Sequence, residues 1–367
     1  MTDLLIKKIY RFMYRNINSK SVIHSAARKI FFTSLNYKYR AIKLHINNNC
    51  NLKCKNCYCH SGEGGPVLKK EEIFYLIDQL KIVNQNLNLH ILGGEPLLRE
   101  DLFEIISYAG KKLKKIILFT NATLISPEIA RKIKDLRIAA VIATLHSSDK
   151  NIHDSITQEN ASWDRTVSGM RYLIEAGVPT YSFTVLMSCN AGHLDKIEHF
   201  VKGLGAKTVY LPYIKQCPQD SLCIANKKEF QEALSWMFNK SEKYKNKLLS
   251  ILNKRPKACS AFVSIINIKS DGTLTPCPFV ELGLGNIKNE KFYSILDRAH
   301  SNKDLLDFLS IPGECERCSL VDICGGGCKA FRYNAYRDAI TKDENCSGPF
   351  KERIPVDRIG SFLPYVF

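Results

Sequence analysis

The chain has 367 residues, 45% hydrophobic and 24% charged, proportions that exclude wholesale disorder. That length fits one large domain with a smaller appendage rather than a single small module. Lys and Arg number 53 against 36 Asp and Glu, a net charge of +17, and no run reaches the roughly 18 apolar residues of a spanning helix.

Residues 1–40 predict a basic helical arm. Leu5, Ile6, Ile9, Phe12, Met13 and Ile17 recur at helical spacing, with Lys7, Lys8, Arg11 and Arg15 largely on the other faces. Those charges interrupt the apolar N-terminus, so it does not read as a secretory signal and a cytoplasmic protein is expected. Ile42, Leu44 and Ile46 then alternate with polar residues as a strand does. Further strands are expected at 87–92, 116–120, 139–145, 180–186 and 208–211, with helices at 70–82, 101–113, 127–136, 163–176 and 192–204. Ser126 before Pro127 suits a helix start, and Gly177 a helix stop. Strands alternating with helices over 41–215 imply right-handed βαβ units and a parallel sheet. Six units fall short of a closed eightfold barrel, leaving a partial barrel or an open doubly wound sheet. A lysine-rich helical linker is expected over 216–258. Residues 259–350 turn short-stranded and glycine-punctuated, with seven of the 14 cysteines, before a tail at 351–367.

Cysteine use departs furthest from the ordinary. In a reducing compartment clustered thiols suggest metal or redox chemistry before disulfides. Cys50, Cys54 and Cys57 form C-x3-C-x2-C directly after the first strand, where parallel α/β folds place their chemistry. Three close thiolates suit one inorganic centre; a zinc site completed by Cys59 or His60 is the competing reading. One βα unit later comes Gly93-Gly94-Glu95-Pro96, and Thr120-Asn121-Ala122 follows the third strand. Together these motifs resemble the radical S-adenosylmethionine (SAM) enzymes. The resemblance implies a partial (β/α)6 barrel. It implies a [4Fe–4S] cluster on Cys50, Cys54 and Cys57 whose open iron binds SAM. It implies SAM contacts from Gly93, Gly94, Glu95 and Pro96, from Thr120 and Asn121, from Thr144 at the end of strand four, and from Asn190 after strand five. His146 stands where the family often has an acid.

The C-terminal series Cys259, Gly272, Cys277, then Cys315-x2-Cys318-x5-Cys324-x3-Cys328 and Cys346, with Gly325-Gly326-Gly327, resembles the SPASM domain of these enzymes. Two zinc sites are the alternative. The resemblance implies two auxiliary iron–sulfur clusters: one held by Cys315, Cys318, Cys324 and Cys346, the other by Cys259, Cys277 and Cys328 with a fourth site open or borrowed. Residues 260–265 offer no extra cysteine. Cys189 is expected to be a small buried hydrophobe. Cys217 and Cys223 read as loop thiols facing the barrel mouth, one of them a candidate ligand or relay.

The resemblance further implies reductive cleavage of SAM to a 5′-deoxyadenosyl radical, hydrogen abstraction from a substrate, and an electron donor such as flavodoxin or ferredoxin. Peptide or protein modification is the leading expectation. The segment ahead of the first strand is too short for the winged helix that often binds leader peptides, and Pro278 replaces the Asp of sulfatase-maturing relatives. Thr275-Pro-Cys-Pro-Phe279 and Leu284-Gly-Asn-Ile287 are also similar to members that modify tetrapyrrole side chains, the small-molecule alternative. A zinc-structured nucleic-acid binder is the distant alternative: the positive charge allows it, but no basic stretch is interleaved with aromatics, and nucleic acid is not an expected partner.

A basic amphipathic helix also suits an anionic membrane surface, where each basic residue contributes about 1 kcal/mol; the competing role is packing across the open barrel end. If residues 1–18 make such a peripheral contact, their deletion abolishes salt-sensitive sedimentation with anionic vesicles. Full-length protein that never sediments with them refutes it.

Overall fold

The computed structural model describes residues 39–351, except 60, 63, 85, 217–220, 223–227, 230–231, 234, 237–258, 337–340, 344–345 and 347, and the side chains of 82–83 and 322–323. The expectations for the N-terminal arm, His60, Cys217, Cys223, most of the linker and the tail lie outside the described residues.

Six strands appear where the alternation places them: β1 (Ala41–His45), β2 (Asn88–Leu92), β3 (Lys115–Thr120), β4 (Ala140–Thr144), β5 (Thr180–Leu186) and β6 (Lys207–Pro212). The helices between them are α1 (Lys70–Val83), α2 (Leu102–Gly110), α3 (Pro127–Asp135), α4 (Lys150–Thr157), α5 (Ser162–Glu175) and α6 (Leu194–Gly203). Ser126 Oγ accepts the Ile129 N–H at the start of α3. Gly177 stops α5 at φ +72°, a backbone state that costs glycine nothing. The sequence reading missed α4. It is a short helix without a long apolar stripe, started by Asp149, whose carboxylate accepts the N–H groups of Asn151 and Ile152.

The strands form one sheet in the order β6-β5-β4-β3-β2-β1-β7-β8-β9. Strands β1 to β6 are all parallel. Its free edges are β6 and β9, so the sheet curls into a partial barrel without closing on itself. β7 (Ile265–Ile268) pairs parallel with β1, and β8 (Thr273–Thr275) and β9 (Gly285–Asn286) follow antiparallel. The cysteine-rich segment therefore does not start a separate sheet. It continues the first one, and then adds α7 (Phe292–Ala299), α8 (Lys303–Leu309), α9 (Val321–Cys324) and α10 (Lys329–Tyr336).

Along β3, β5 and β6 fully buried residues alternate with half-buried ones. The buried set, such as Leu118, Leu186 and Tyr210, packs in one core with Ile73, Leu76 and Leu80 of α1 and Met170 and Leu173 of α5. The half-buried set, including Phe119, Phe183 and Leu211, lines a cavity on the concave side, joined by Thr144 at the end of β4. The period-two pattern thus separates a helix-facing surface from a lumen. Among the described residues no helix is long and apolar enough to cross a membrane.

One contact fixes the loop after β1 to the turn after β2. Gly94 N–H donates to Asn47 O at 3.2 Å and Glu95 N–H to Asn49 O at 2.7 Å, while Asn47 Nδ2 donates to Glu95 O at 2.8 Å. A Cβ on Gly94 would lie 2.2 Å from the Asn49 carbonyl oxygen; on Gly93 it would lie 2.1 Å from Asn47 Oδ1. The first obstacle is backbone and the second chiefly a side chain, which can shift at the cost of its hydrogen bond to Glu95 O. Gly94→Ala therefore destabilises the cluster-free chain by about 1–3 kcal/mol in denaturant unfolding, and more than Gly93→Ala does. An unshifted midpoint for Gly94→Ala would show that the loop yields freely.

Candidate functional site

Cys50, Cys54 and Cys57 lie on the loop after β1. Lys53 N–H donates to Thr157 O at 3.1 Å and Lys55 N–H to Ile156 O at 2.9 Å, so the end of α4 braces this loop. All three cysteines face an open cavity at the C-terminal ends of the strands, together with Gly93, Gly94, Thr120, Asn121 and Thr144. Burial raises the Cys50 thiol pKa. Burial and the neighbouring Cys50 and Cys57 push Cys54 up to about 12. Cys57 is held down at about 5 by a hydrogen bond from Cys59, whose sulfur is 3.7 Å away; Cys59 is correspondingly raised. Crowded thiolates repel one another, and an iron–sulfur core, being cationic, relieves that repulsion. Among the described residues no three His, Cys, Asp or Glu side chains converge as ligands of a single metal ion do. A cluster carries its ligands on separate irons and needs no such convergence.

The turn after β2 divides its labour. Gly93 and Gly94 reach the cavity. Glu95 and Pro96 are buried beneath it. Glu95 Oε1 accepts from Thr120 Oγ1 at 2.7 Å and from Leu97 N–H at 3.1 Å, and Oε2 from Asn121 N–H at 2.7 Å. Its carboxylate is thus consumed in joining the β2 turn to the β3 turn. Asn121 Nδ2 donates to Asn51 Oδ1 at 2.9 Å and lies 3.9 Å from Cys50 Sγ.

Asn190 departs from expectation. Its Nδ2 donates to His146 O and Val185 O, each at 2.9 Å, and its Oδ1 accepts Met187 N–H at 2.8 Å. With both donors spent and the residue buried, it locks the β4 and β5 ends together and does not line the cavity. Cys189 also departs: it is exposed, because it sits in the turn beyond the last β5 residue. His146 does line the cavity, and its backbone N–H donates to His153 Nδ1 at 3.2 Å. Burial pushes its pKa down to about 3, so the imidazole is neutral.

Sequence reasoning did not single out Lys43, Asn56 or Tyr58, all on the cavity wall. Asn56 Oδ1 is buried without a hydrogen-bond partner. Its place between Cys54 and Cys57 was the available signal. Tyr58 packs edge-on against Phe279, with ring centroids 4.8 Å apart.

In the C-terminal part, Cys315, Cys318, Cys324 and Cys346 line one small cavity. Burial pushes Cys315 up to about 11 and Cys324 up to about 12. Backbone N–H groups of Gly327, Phe350 and Gly348 donate to the sulfurs of Cys324, Cys318 and Cys346 at 3.1, 3.3 and 3.3 Å. Cys259, Cys277 and Cys328 form the other group: burial, and next the neighbouring Cys259 and Cys277 sulfurs, raise the Cys328 pKa, and burial pushes Cys277 up to about 12.

Burial lifts the Glu95 pKa to about 7, against hydrogen bonds that favour the carboxylate. The folded chain therefore holds a proton that the unfolded chain, with an ordinary carboxylate near 4.5, gives up. This contribution is full below about pH 4.5 and is lost as pH rises through about 7. The stability difference between wild type and Glu95→Gln therefore changes across pH 4.5–7 in cluster-free protein, by up to about 3 kcal/mol. A difference that does not vary with pH refutes it.

The radical SAM superfamily profile matches residues 44–201, and that of the iron–sulfur cluster-binding SPASM domain matches residues 259–319. The AdoMet-dependent heme synthase of Methanosarcina barkeri is 24% identical, over 84% of this chain and 96% of that protein. The antilisterial bacteriocin subtilosin biosynthesis protein AlbA of Bacillus subtilis is 25% identical, over 90% of this chain and 78% of that protein. The crystal structure of Streptococcus suis SuiB bound to S-adenosylmethionine superposes with a TM-score of 0.69 at 17% identity, covering 95% of this chain and 88% of that one. The chain belongs to the radical SAM superfamily, as an enzyme with a SPASM domain for auxiliary iron–sulfur clusters.

Proposed function

We propose that Cys50, Cys54 and Cys57 hold the SAM-binding [4Fe–4S] cluster in the large cavity, that Cys315, Cys318, Cys324 and Cys346 hold one auxiliary cluster, and that Cys259, Cys277 and Cys328 hold the other. The donor set fits: half-buried or buried sulfurs that would repel one another as thiolates, with backbone N–H groups already directed at sulfur, and an orphaned acceptor, Asn56 Oδ1, beside the first group. When bound and reduced, that cluster with SAM supplies a 5′-deoxyadenosyl radical. The chain's own residues shape the space around it. Gly93 and Gly94 leave the backbone bare against the cavity, Thr120, Asn121 and Thr144 present polar groups, and Phe119, Phe183 and Phe279 exclude water. The functional units are proposed as an arm (1–40), barrel (41–215), linker (216–258), cluster domain (259–350) and tail (351–367).

The observation that carries this reading is that one cavity is walled by both the first cysteine loop and Pro278–Phe279, the residues directly after Cys277. Hydrogen abstraction and removal of the residual electron then share one chamber. The substrate proposed first is a peptide or protein side chain, the chemistry in which a bacteriocin-biosynthesis relative is named. A tetrapyrrole side chain is the second reading, favoured by the heme synthase relative, which this chain matches over nearly that protein's full length. Reducing equivalents come from a flavodoxin- or ferredoxin-type donor, whose acidic surface suits a chain of net charge +17. Peripheral membrane contact through residues 1–18 belongs to the same proposal.

Fully loaded protein holds about twelve irons per chain, and replacing Cys50, Cys54 and Cys57 together by Ala leaves about eight. That variant makes no 5′-deoxyadenosine from SAM and dithionite; an undiminished yield overturns the assignment.

A further inference from the structure

Lys43 stands in the middle of β1, cross-strand from His90 of β2 and Asn267 of β7. Its side chain is enclosed by the barrel and reaches solvent only partly, on the lumen face of the strand. Among the described residues it pairs with no carboxylate, and no Asp or Glu lines the cavity. Burial works against its charge, and the sulfur of Cys277 is the one group nearby that favours it. The histidines on either side do not share the charge: burial, with Lys43's own charge assisting, pushes His45 and His90 down to about 4. Lys43 is thus the sole cationic side chain among the described lining residues, on a wall otherwise built largely of Phe119, Phe183, Tyr213 and Phe279.

An enclosed ammonium without an anion is costly, and the cost is removed when an anion arrives. An apolar surround strengthens that pairing. Depth adds direction. Lys43 lies two residues below the end of β1, whereas Cys50 lies on the loop above it.

We propose that Lys43 is the substrate anchor of this cavity, pairing through Nζ with a carboxylate of the substrate so that the acid end enters first and the reacting carbon stays nearer the Cys50–Cys57 loop. This rests on the radical SAM reading of the cavity and narrows its substrates to carboxylate-bearing ones. Acidic peptide side chains and the acid side chains of a tetrapyrrole both qualify.

The test uses full-length, cluster-loaded protein and two pairs of probes: mesoporphyrin against its dimethyl ester, and a glutamate-containing peptide against its glutamine twin. Wild type prefers the acid in at least one pair, and the pair that shows it identifies the source. Lys43→Met weakens binding of that acid roughly tenfold or more without altering its neutral partner, and Lys43→Arg restores the preference. Lys43→Gln repeats the measurement should the methionine variant fold poorly. A wild type that prefers neither acid overturns the proposal. So does a Lys43→Met protein whose auxiliary-cluster potential or SAM affinity changes while its acid preference persists. 5′-Deoxyadenosine formation by wild type is scored in parallel. Its absence overturns the radical SAM reading of the cavity; its presence without acid preference overturns the anchor alone.

Discussion

Everything at the mouth of the barrel depends on how closely two pieces of backbone approach. The loop after β1 rests on the turn after β2 with no room for a Cβ at Gly94, whose Cβ would sit 2.2 Å from Asn49 O. The buried Glu95 carboxylate then joins that turn to Thr120 and Asn121 on the β3 turn. Three consecutive strand ends are welded into one rim, and the cysteine loop is pinned to it. A pre-positioned donor set spares part of the ordering cost that a flexible loop would incur on binding.

Charge is the second constraint. Buried thiols are driven towards their neutral forms, so the cluster-free chain accommodates sulfurs that would repel one another as thiolates. Arg332 offsets part of this. It is fully buried, which works against its charge, while Asp343, Cys328, Cys315 and Cys259 favour it, so a single guanidinium is shared between the two C-terminal cysteine groups. Hydrogen bonds to sulfur and burial are the levers by which proteins set cluster potentials. Here backbone N–H groups reach Cys318, Cys324 and Cys346 at 3.1–3.3 Å, and in the other group Phe331 N–H reaches Cys328 at 3.4 Å and a backbone N–H of Phe279 favours the Cys277 thiolate.

The alternating strands, the helix start at Ser126 and the two cysteine series were legible in the sequence because each is a local pattern with a fixed spacing. What escaped it was tertiary. Nothing near Asn190 shows that its amide is spent on His146 O and Val185 O. Nothing in Gly93-Gly94-Glu95-Pro96 separates the half that meets the cavity from the half that is buried as a clamp. A lone Lys between Ile42 and Leu44 reads as the polar phase of a strand, and only the curvature of the sheet turns that phase into a lumen. The short α4 carries too few apolar positions for a periodicity to emerge, yet it braces the cysteine loop through Lys53 and Lys55.

The continuous sheet has a further consequence for how the two halves of the chemistry are held. The β1–β7 pairing is tied laterally by side chains: His45 Nε2 meets Asn267 Oδ1 at 3.1 Å, Asn267 Nδ2 donates to Thr275 Oγ1 at 3.0 Å, and Thr275 Oγ1 donates to Cys277 O at 3.0 Å. Because Asn267 Nδ2 is engaged as a donor, its Oδ1 must accept, which places the His45 proton on Nε2; with its pKa at about 4, the ring is neutral and its tautomer fixed. Above this row, His45 packs on Tyr58 with centroids 5.8 Å apart, and Tyr58 on Phe279. Cys277 is therefore registered to the first cysteine loop by strand pairing and a buried polar chain. A docked domain would offer a looser interface that could slide; a shared sheet can slip only by whole residues, and a slip of one residue turns its buried face outward. On the proposed cluster assignment, electron tunnelling between the two cysteine groups falls off steeply with distance, and continuing the barrel's own sheet into the C-terminal cysteine segment makes their separation a property of the backbone ladder.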